Sequence, residues 1–210
     1  AGRQVQEQAP AVTAPNYLVC LAICVLLVVL TLIPYLQTLN HDFITELDDT
    51  GYIIQNKGIQ KGLTAEGIRW AFTSYYEANW HPLTWISHAY DYQRYKLEPR
   101  GHHLTNVILH VLNSLLMFLV FVRMTGSTWR SGFVAALFAI HPVHVESVAW
   151  VSERKDVLST LFWLLTMLAY AWYAKKPGVP RYLPVALCFA LGLMAKPMLV
   201  SLPLVLLLLD

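Results

Sequence analysis

Apolar and polar positions segregate along this chain into long blocks rather than alternating within short elements. The first apolar block, Tyr17 to Leu36, carries no charge. Its length of about twenty residues is enough to cross a bilayer as a helix. A second runs from Leu104 to Val122 and stops at Arg123, a third begins near Ser131, and a fourth runs from Asp156 to Tyr173 before KKPGVPR. Tyr182 to Leu209 form one long block, interrupted by Lys196-Pro197. At ~1.5 Å per residue that block is too long for one span. Proline also disfavours helix at the residue before it, so a turn is expected there. The pattern predicts an all-α polytopic membrane protein. Spans are expected near 17–36, 104–122, 131–150, 157–173, 182–195 and 198–209, with a large polar loop at 37–102 and a disordered cytoplasmic tail at 1–16.

The third span reaches Trp150 only by including His141, His144 and Glu146. An ionised group at mid-bilayer costs about 2.5–3.5 kcal/mol on the insertion scale. A shorter span ending at Ile140, with HPVHVES at the interface, avoids that cost. The loop at 37–102 is not a plain linker. It holds Trp70, Trp80 and Trp85 with many tyrosines, and TAEGIRWAFTS reads as a helix capped by Thr64. A compact cap against the membrane surface fits this, and an interfacial aromatic belt accounts for much of it.

Composition agrees with a membrane protein: 56% of residues are hydrophobic and only 13% charged. A net charge of +2, with its cations scattered, gives no nucleic-acid footprint. Cys20, Cys24 and Cys188 lie inside apolar blocks and read as packing residues. Charge does set orientation. Arg123 with Arg130, and Lys175 and Lys176 with Arg181, fall on one side if the spans alternate, and that side is cytoplasmic by the positive-inside rule. The loop at 37–102 and the segment HPVHVESVAWVSERKD then share the external side.

That side collects the candidate chemistry. ITELDDTGYI places Glu46, Asp48 and Asp49 just beyond the first span, and Arg154, Lys155 and Lys196 stand at the mouths of others. A carboxylate can take a proton from an acceptor hydroxyl while cations stabilise a departing phosphate. A phosphate head on a lipid tail would suit such a boundary. Adjacent acids also cap helices or bind Ca²⁺ and Mg²⁺, and interfacial cations also snorkel, so these readings stand beside the first. His41, Asp42, His102 and His103 could join a divalent-cation site, but their spacing is not diagnostic and ordinary hydrogen bonding of loop histidines is the better reading.

Through HDFITELDD, NWHPLTWISHAYD, GHHLTNVILHVLNSLLMF, TWRSGFVAALFAIHPVHVESVAWVSERKDVLST and FALGLMAKPMLVSLPLVLLLLD, the chain resembles bacterial members of the transmembrane and tetratricopeptide-repeat protein family. These look like GT-C-class glycosyltransferases related to protein O-mannosyltransferases. The resemblance implies the amino-terminal part of a GT-C-type helical fold with a large first external loop. It implies transfer of a sugar, usually mannose, from a polyprenyl-phosphate donor to Ser or Thr hydroxyls of exported proteins, in a bacterial inner membrane with the site on the periplasmic face. By position in the family motif, Asp48 would be the general base with Asp49 its neighbour. Arg154 and Lys155, and less directly Lys196, would bind the lipid phosphate. His81, His141, His144 and Glu146 would line the site. The expected partners are membrane lipid, a lipid-linked sugar, an exported protein acceptor and other membrane subunits. No 34-residue helical repeat and no second half of the spans is found in these 210 residues. A non-catalytic membrane subunit or anchor, and a lipid-binding or transport module, therefore remain alternative readings.

Overall fold

Residues 16–208 are described by a computed structural model. The expected tail at 1–16 lies, but for Asn16, outside the described residues, as does the end of the last expected span at Leu209. Among the described residues the chain is helical, and its one pairing of extended backbone is an isolated bridge between Tyr76 and Asn79. Three segments, Tyr17–Asn40, Pro99–Thr125 and Val151–Lys175, are long and apolar enough to cross a membrane. The protein is an all-α polytopic membrane protein.

Helix α1 (Tyr17–Tyr35) opens on Asn16, whose side chain accepts the Leu18 N–H at 3.0 Å. Ile23, Leu27, Thr31 and Tyr35 recur every fourth residue and form its buried stripe. The rest of the helix, including Leu21, Val25, Leu26 and Ile33, exposes apolar side chains, as a lipid-facing surface requires. Pro34 removes a helical donor in the last turn, and the chain tightens into a 3-10 turn at Leu36–Asn40.

A cap follows. Helices α2 (Ala65–Thr73) and α3 (Pro82–Tyr95) carry much of it, and Thr64 caps α2 by accepting the Gly67 N–H at 3.1 Å. The cap has its own core of Tyr52, Ile53, Ile59, Ala71, Trp85 and Ala89, which also takes in Val151 from the turn before α7. Gly58 lies flat against the Trp70 ring, where a Cβ would collide with the indole.

Helix α4 (Pro99–Thr125) is the central element and packs against α1, α5 (Thr128–Ile140) and α7 (Arg154–Lys175). It begins at Pro99, so the last residues of the expected loop belong to the helix, and it ends at Gly126, which takes the left-handed conformation at φ 70°. Its buried face is polar: His102, His103, Asn106, His110, Asn113 and Ser114 recur at three- and four-residue steps. Three of them, Asn106, His110 and Asn113, meet backbone carbonyls near the ends of neighbouring helices. Asn106 Nδ2 donates to Val148 and Trp150 carbonyls at 3.2 and 3.1 Å, Asn113 Nδ2 to Val157 at 2.8 Å, and the His110 ring meets Ala139 at 3.1 Å.

Those helix ends settle the third block. It is not one helix to Trp150. Helix α5 ends at Ile140, Pro142 sits in the turn, and α6 (His144–Ala149) follows as a separate piece. Proline lacks the donor a continuing helix needs, and the break leaves His141 and Glu146 exposed and His144 half-buried. Helix α8 (Val179–Ala195) returns along α7. Lys196 is extended, and a 3-10 turn at Pro197–Ser201 leads into α9 (Leu202–Leu207). Thr84 of α3 donates to the Ala195 carbonyl at 2.9 Å, pinning the cap to this end of α8.

Candidate functional site

The two charged segments flagged in the sequence meet through one carboxylate. Asp49 is fully buried. Its Oδ2 accepts the Ile44 N–H at 2.9 Å, and its Oδ1 accepts the Ser152 N–H at 2.9 Å together with the Ser152 hydroxyl. A buried carboxylate without such donors would be strongly unfavourable, and charge-assisted bonds are among the strongest available. The contact spans 103 sequence positions and joins ELDD to VSERKD. Asp49, expected as a second carboxylate at the reacting centre, has both oxygens taken up by the protein.

Asp48 has the opposite character. Its carboxylate is exposed, while its backbone carbonyl accepts the Tyr52 N–H at 2.8 Å as the chain enters a π-helical turn at Thr50–Ile54. Thr50 Oγ1 ties this turn to the Thr45 carbonyl at 2.7 Å. Tyr52 lies beneath. Lys155 Nζ sits 4.9 Å from its ring centroid, and Asn79 Nδ2 donates to its hydroxyl at 3.0 Å. Burial pushes the Tyr52 phenol up, and the charges of Asp48, Glu153 and Glu77 push it further. It stays protonated at neutral pH.

Lys155 is 2.6 Å from Glu153 and donates to the Ser152 carbonyl at 3.3 Å. Lys196 pairs with Asp156, whose other oxygen accepts from Ser147 Oγ at 3.1 Å. Both lysines act on His81, which packs on Trp85 at a centroid distance of 4.4 Å. Burial holds the His81 imidazole down at about 4, and the charges of Lys155 and Lys196 act in the same direction. His81 is thus neutral at pH 7.

This depression predicts a pH effect. An unfolded His titrates near 6.5, so between about 6.5 and 4 the unfolded chain binds more protons and stability falls as pH falls. His88, held well below its ordinary value chiefly by burial, adds a contribution of the same sign. Melting of the full-length protein in detergent should drop more between pH 7 and pH 4.5 in the parent than in His81→Gln. Equal drops would place the dependence on other groups.

Arg154 does not share the groove expected for it. Its side chain is fully buried: Nη2 donates to Asp91 at 2.7 Å and to the His102 carbonyl at 2.8 Å, Nη1 to Ser87 at 2.9 Å, and Nε to Asn106. These contacts lock α3, α4 and the start of α7 together and leave the guanidinium enclosed by protein. His141 and His144 pack with rings near the end of α5, and Glu146 is exposed. The ring of His144 contacts Phe138 at 4.4 Å and His110 at 5.5 Å, and His141 lies 6.1 Å from His144. His102 Nε2 is engaged by the Lys96 carbonyl at 2.9 Å, and the rings of His41 and His103 are 6.2 Å apart. Among the described residues no group of three or more His, Cys, Asp or Glu side chains is arranged to hold a metal ion. Sequence reasoning missed Tyr52, Glu153 and Asp156. The acids flanking Arg154-Lys155 were visible as alternating charge and signalled a local partner for Lys155, whereas Lys196 reaches Asp156 across 40 positions.

Fold and site together define a helical membrane protein with exposed Asp48 and paired Lys155 and Lys196 at one end of its bundle. No family model matches the chain, and no solved structure matches it. Among curated proteins it is similar to protein O-mannosyl-transferase Tmtc1 of Drosophila melanogaster, 34% identical over 150 residues that make up 67% of this chain and 17% of that protein. It is similar to protein O-mannosyl-transferase TMTC4 of Mus musculus, 31% identical over 172 residues, 70% of this chain and 22% of that protein. It is also similar to protein O-mannosyl-transferase Tmtc2 of Drosophila melanogaster, 32% identical over 172 residues, 77% and 18% respectively. These relatives are animal proteins, not the bacterial members that the sequence resembles. The chain spans about a fifth of their length.

Proposed function

We propose that residues 17–210 form the amino-terminal GT-C-like membrane part of a protein O-glycosyltransferase. It moves mannose from a polyprenyl-phosphate donor to Ser or Thr hydroxyls of exported proteins on the external face, in a bacterial inner membrane the periplasmic one. The observation that supports this reading is the Asp49–Ser152 contact, which joins the segment carrying exposed Asp48 to the segment carrying Lys155. The names of the similar proteins support the reaction class.

In this reading Asp48 takes the proton of the acceptor hydroxyl as its oxygen attacks the anomeric carbon. The bond from that carbon to the lipid phosphate breaks, and the electron pair leaves on the phosphate oxygen. Lys155 and Lys196 stabilise the developing charge. Asp49 holds the two segments together, Arg154 fixes the start of α7 against α3 and α4, and neutral His81 with protonated Tyr52 supplies uncharged walls. The donor must compete for both lysines with Glu153 and Asp156.

That competition gives the test. Glu153→Gln frees Lys155, so the donor KM should fall, by roughly fivefold if the partly exposed pair is worth about 1 kcal/mol. Lys155→Gln should raise it. The assay is transfer from purified polyprenyl-phosphate mannose to a protein acceptor by the full-length enzyme. A donor KM that rises in Glu153→Gln would remove Lys155 from the phosphate site.

A further inference from the structure

Among the described residues, the end of the bundle opposite Asp48 carries cations without acidic partners. Every Asp and Glu among the described residues lies within 42–98 or 146–156, at the Asp48 end. Arg123, Arg130, Lys175, Lys176 and Arg181 occupy the other end, and none of them has an acidic partner among the described ion pairs. The C-termini of α4 and α7 offer only roughly half a negative charge each. No acidic side chain among the described residues neutralises the positive charge there.

Two of these cations stand at the rim of an apolar cleft. Leu119, Arg123, Leu168, Ala171, Trp172 and Lys175 line a space of about 320 Å³ between α4 and α7. Arg123 and Lys175 lie in the last turns of their helices, and Leu119 and Leu168 lie deeper along the same helices. Trp172 is braced from outside: Arg181 lies 4.7 Å over its ring and donates to its carbonyl at 3.2 Å. Leu119 and Arg123 also border a second apolar cleft of about 740 Å³ on the α1 side, lined further by Cys20, Leu115 and Leu116. One ridge of α4, ending in an arginine, thus separates two grooves with greasy walls.

We propose that this end binds an anionic glycerophospholipid, its phosphate held between Arg123 and Lys175. One acyl chain runs along Leu119 and Leu168, and the other follows the α1 side of the ridge. A zwitterionic lipid brings its own cation to the same place and loses the advantage. Basic pockets between helices on the positive side of a membrane recognise anionic headgroups in this way. The site is independent of the transfer chemistry at the opposite end.

Native mass spectrometry of the full-length protein in neutral detergent, titrated with dioleoyl phosphatidylglycerol or dioleoyl phosphatidylcholine, tests it. The first phosphatidylglycerol should bind roughly thirtyfold more tightly, as two cations worth about 1 kcal/mol each imply. Arg123→Gln with Lys175→Gln should bring it to the phosphatidylcholine level, Arg123→Lys with Lys175→Arg should restore it, and Lys61→Gln at the far end should change nothing. Inorganic phosphate at millimolar concentration should not displace the lipid. Equal retention of the two lipids by the parent protein overturns the proposal even where the double variant does not fold. Undiminished phosphatidylglycerol binding in a folded double variant, or displacement by phosphate alone, overturns it too.

Discussion

Asp48→Asn should lower sugar transfer by about 10²–10⁴, the usual cost of losing a general base, while the protein still inserts and folds. The second half of that expectation rests on the structure. The Asp48 carboxylate is exposed and makes no hydrogen bond among the described residues, so an amide of the same size disturbs nothing. Asp49→Asn is a different experiment. The amide keeps one acceptor where the carboxylate serves Ile44 and Ser152 with two oxygens, and its NH₂ would face donors. The Asp49 variant should lose folded protein, with transfer falling in step with the amount that folds. Transfer per folded molecule separates the two. Asp48→Asn falls on that measure and Asp49→Asn falls mainly in melting temperature.

Arg154→Ala should destabilise the protein by about 3–5 kcal/mol, as expected when one partner of a buried ion pair is removed. The loss leaves Asp91 charged and buried, and strips donors from Ser87, Asn106 and the His102 carbonyl at once. Arg154→Lys should recover little, because a single ammonium cannot replace a planar fork with four partners. Denaturation in detergent reads the effect. If Arg154→Ala melts like the parent yet fails to transfer sugar, the guanidinium serves substrate and its buried position here is not its working one.

The apolar blocks made the span-forming helices legible, because a charge-free run of bilayer length has few other uses. Thr64 announced α2 in the same direct way. The break after Ile140 was legible as one of two options, since Pro142 and the polar cluster beyond it both oppose a continuous helix. The polar face of α4 was not. His110 and Asn113 sit in an apolar run, and their partners are carbonyls at Ala139 and Val157, far away in sequence. The site shows the same limit. Asp48 and Asp49 are chemically identical neighbours, and only the fold reveals that one turns inward to Ser152. Arg154 and Lys155 repeat the pattern: one residue points to Asp91, 63 positions away, and its neighbour to the Tyr52 ring. Residue type named the chemistry, but the inward and outward directions of adjacent side chains were set by contacts the sequence does not print.

The most direct measurement is equilibrium binding of radiolabelled polyprenyl-phosphate mannose to the full-length parent, Asp48→Asn and Lys155→Gln proteins, with transfer assayed on the same preparations. Asp48→Asn should bind the donor like the parent and fail to transfer the sugar, and Lys155→Gln should bind it weakly. Transfer by Asp48→Asn at the parent's rate, or unchanged donor binding by Lys155→Gln, would contradict a site built from these two residues.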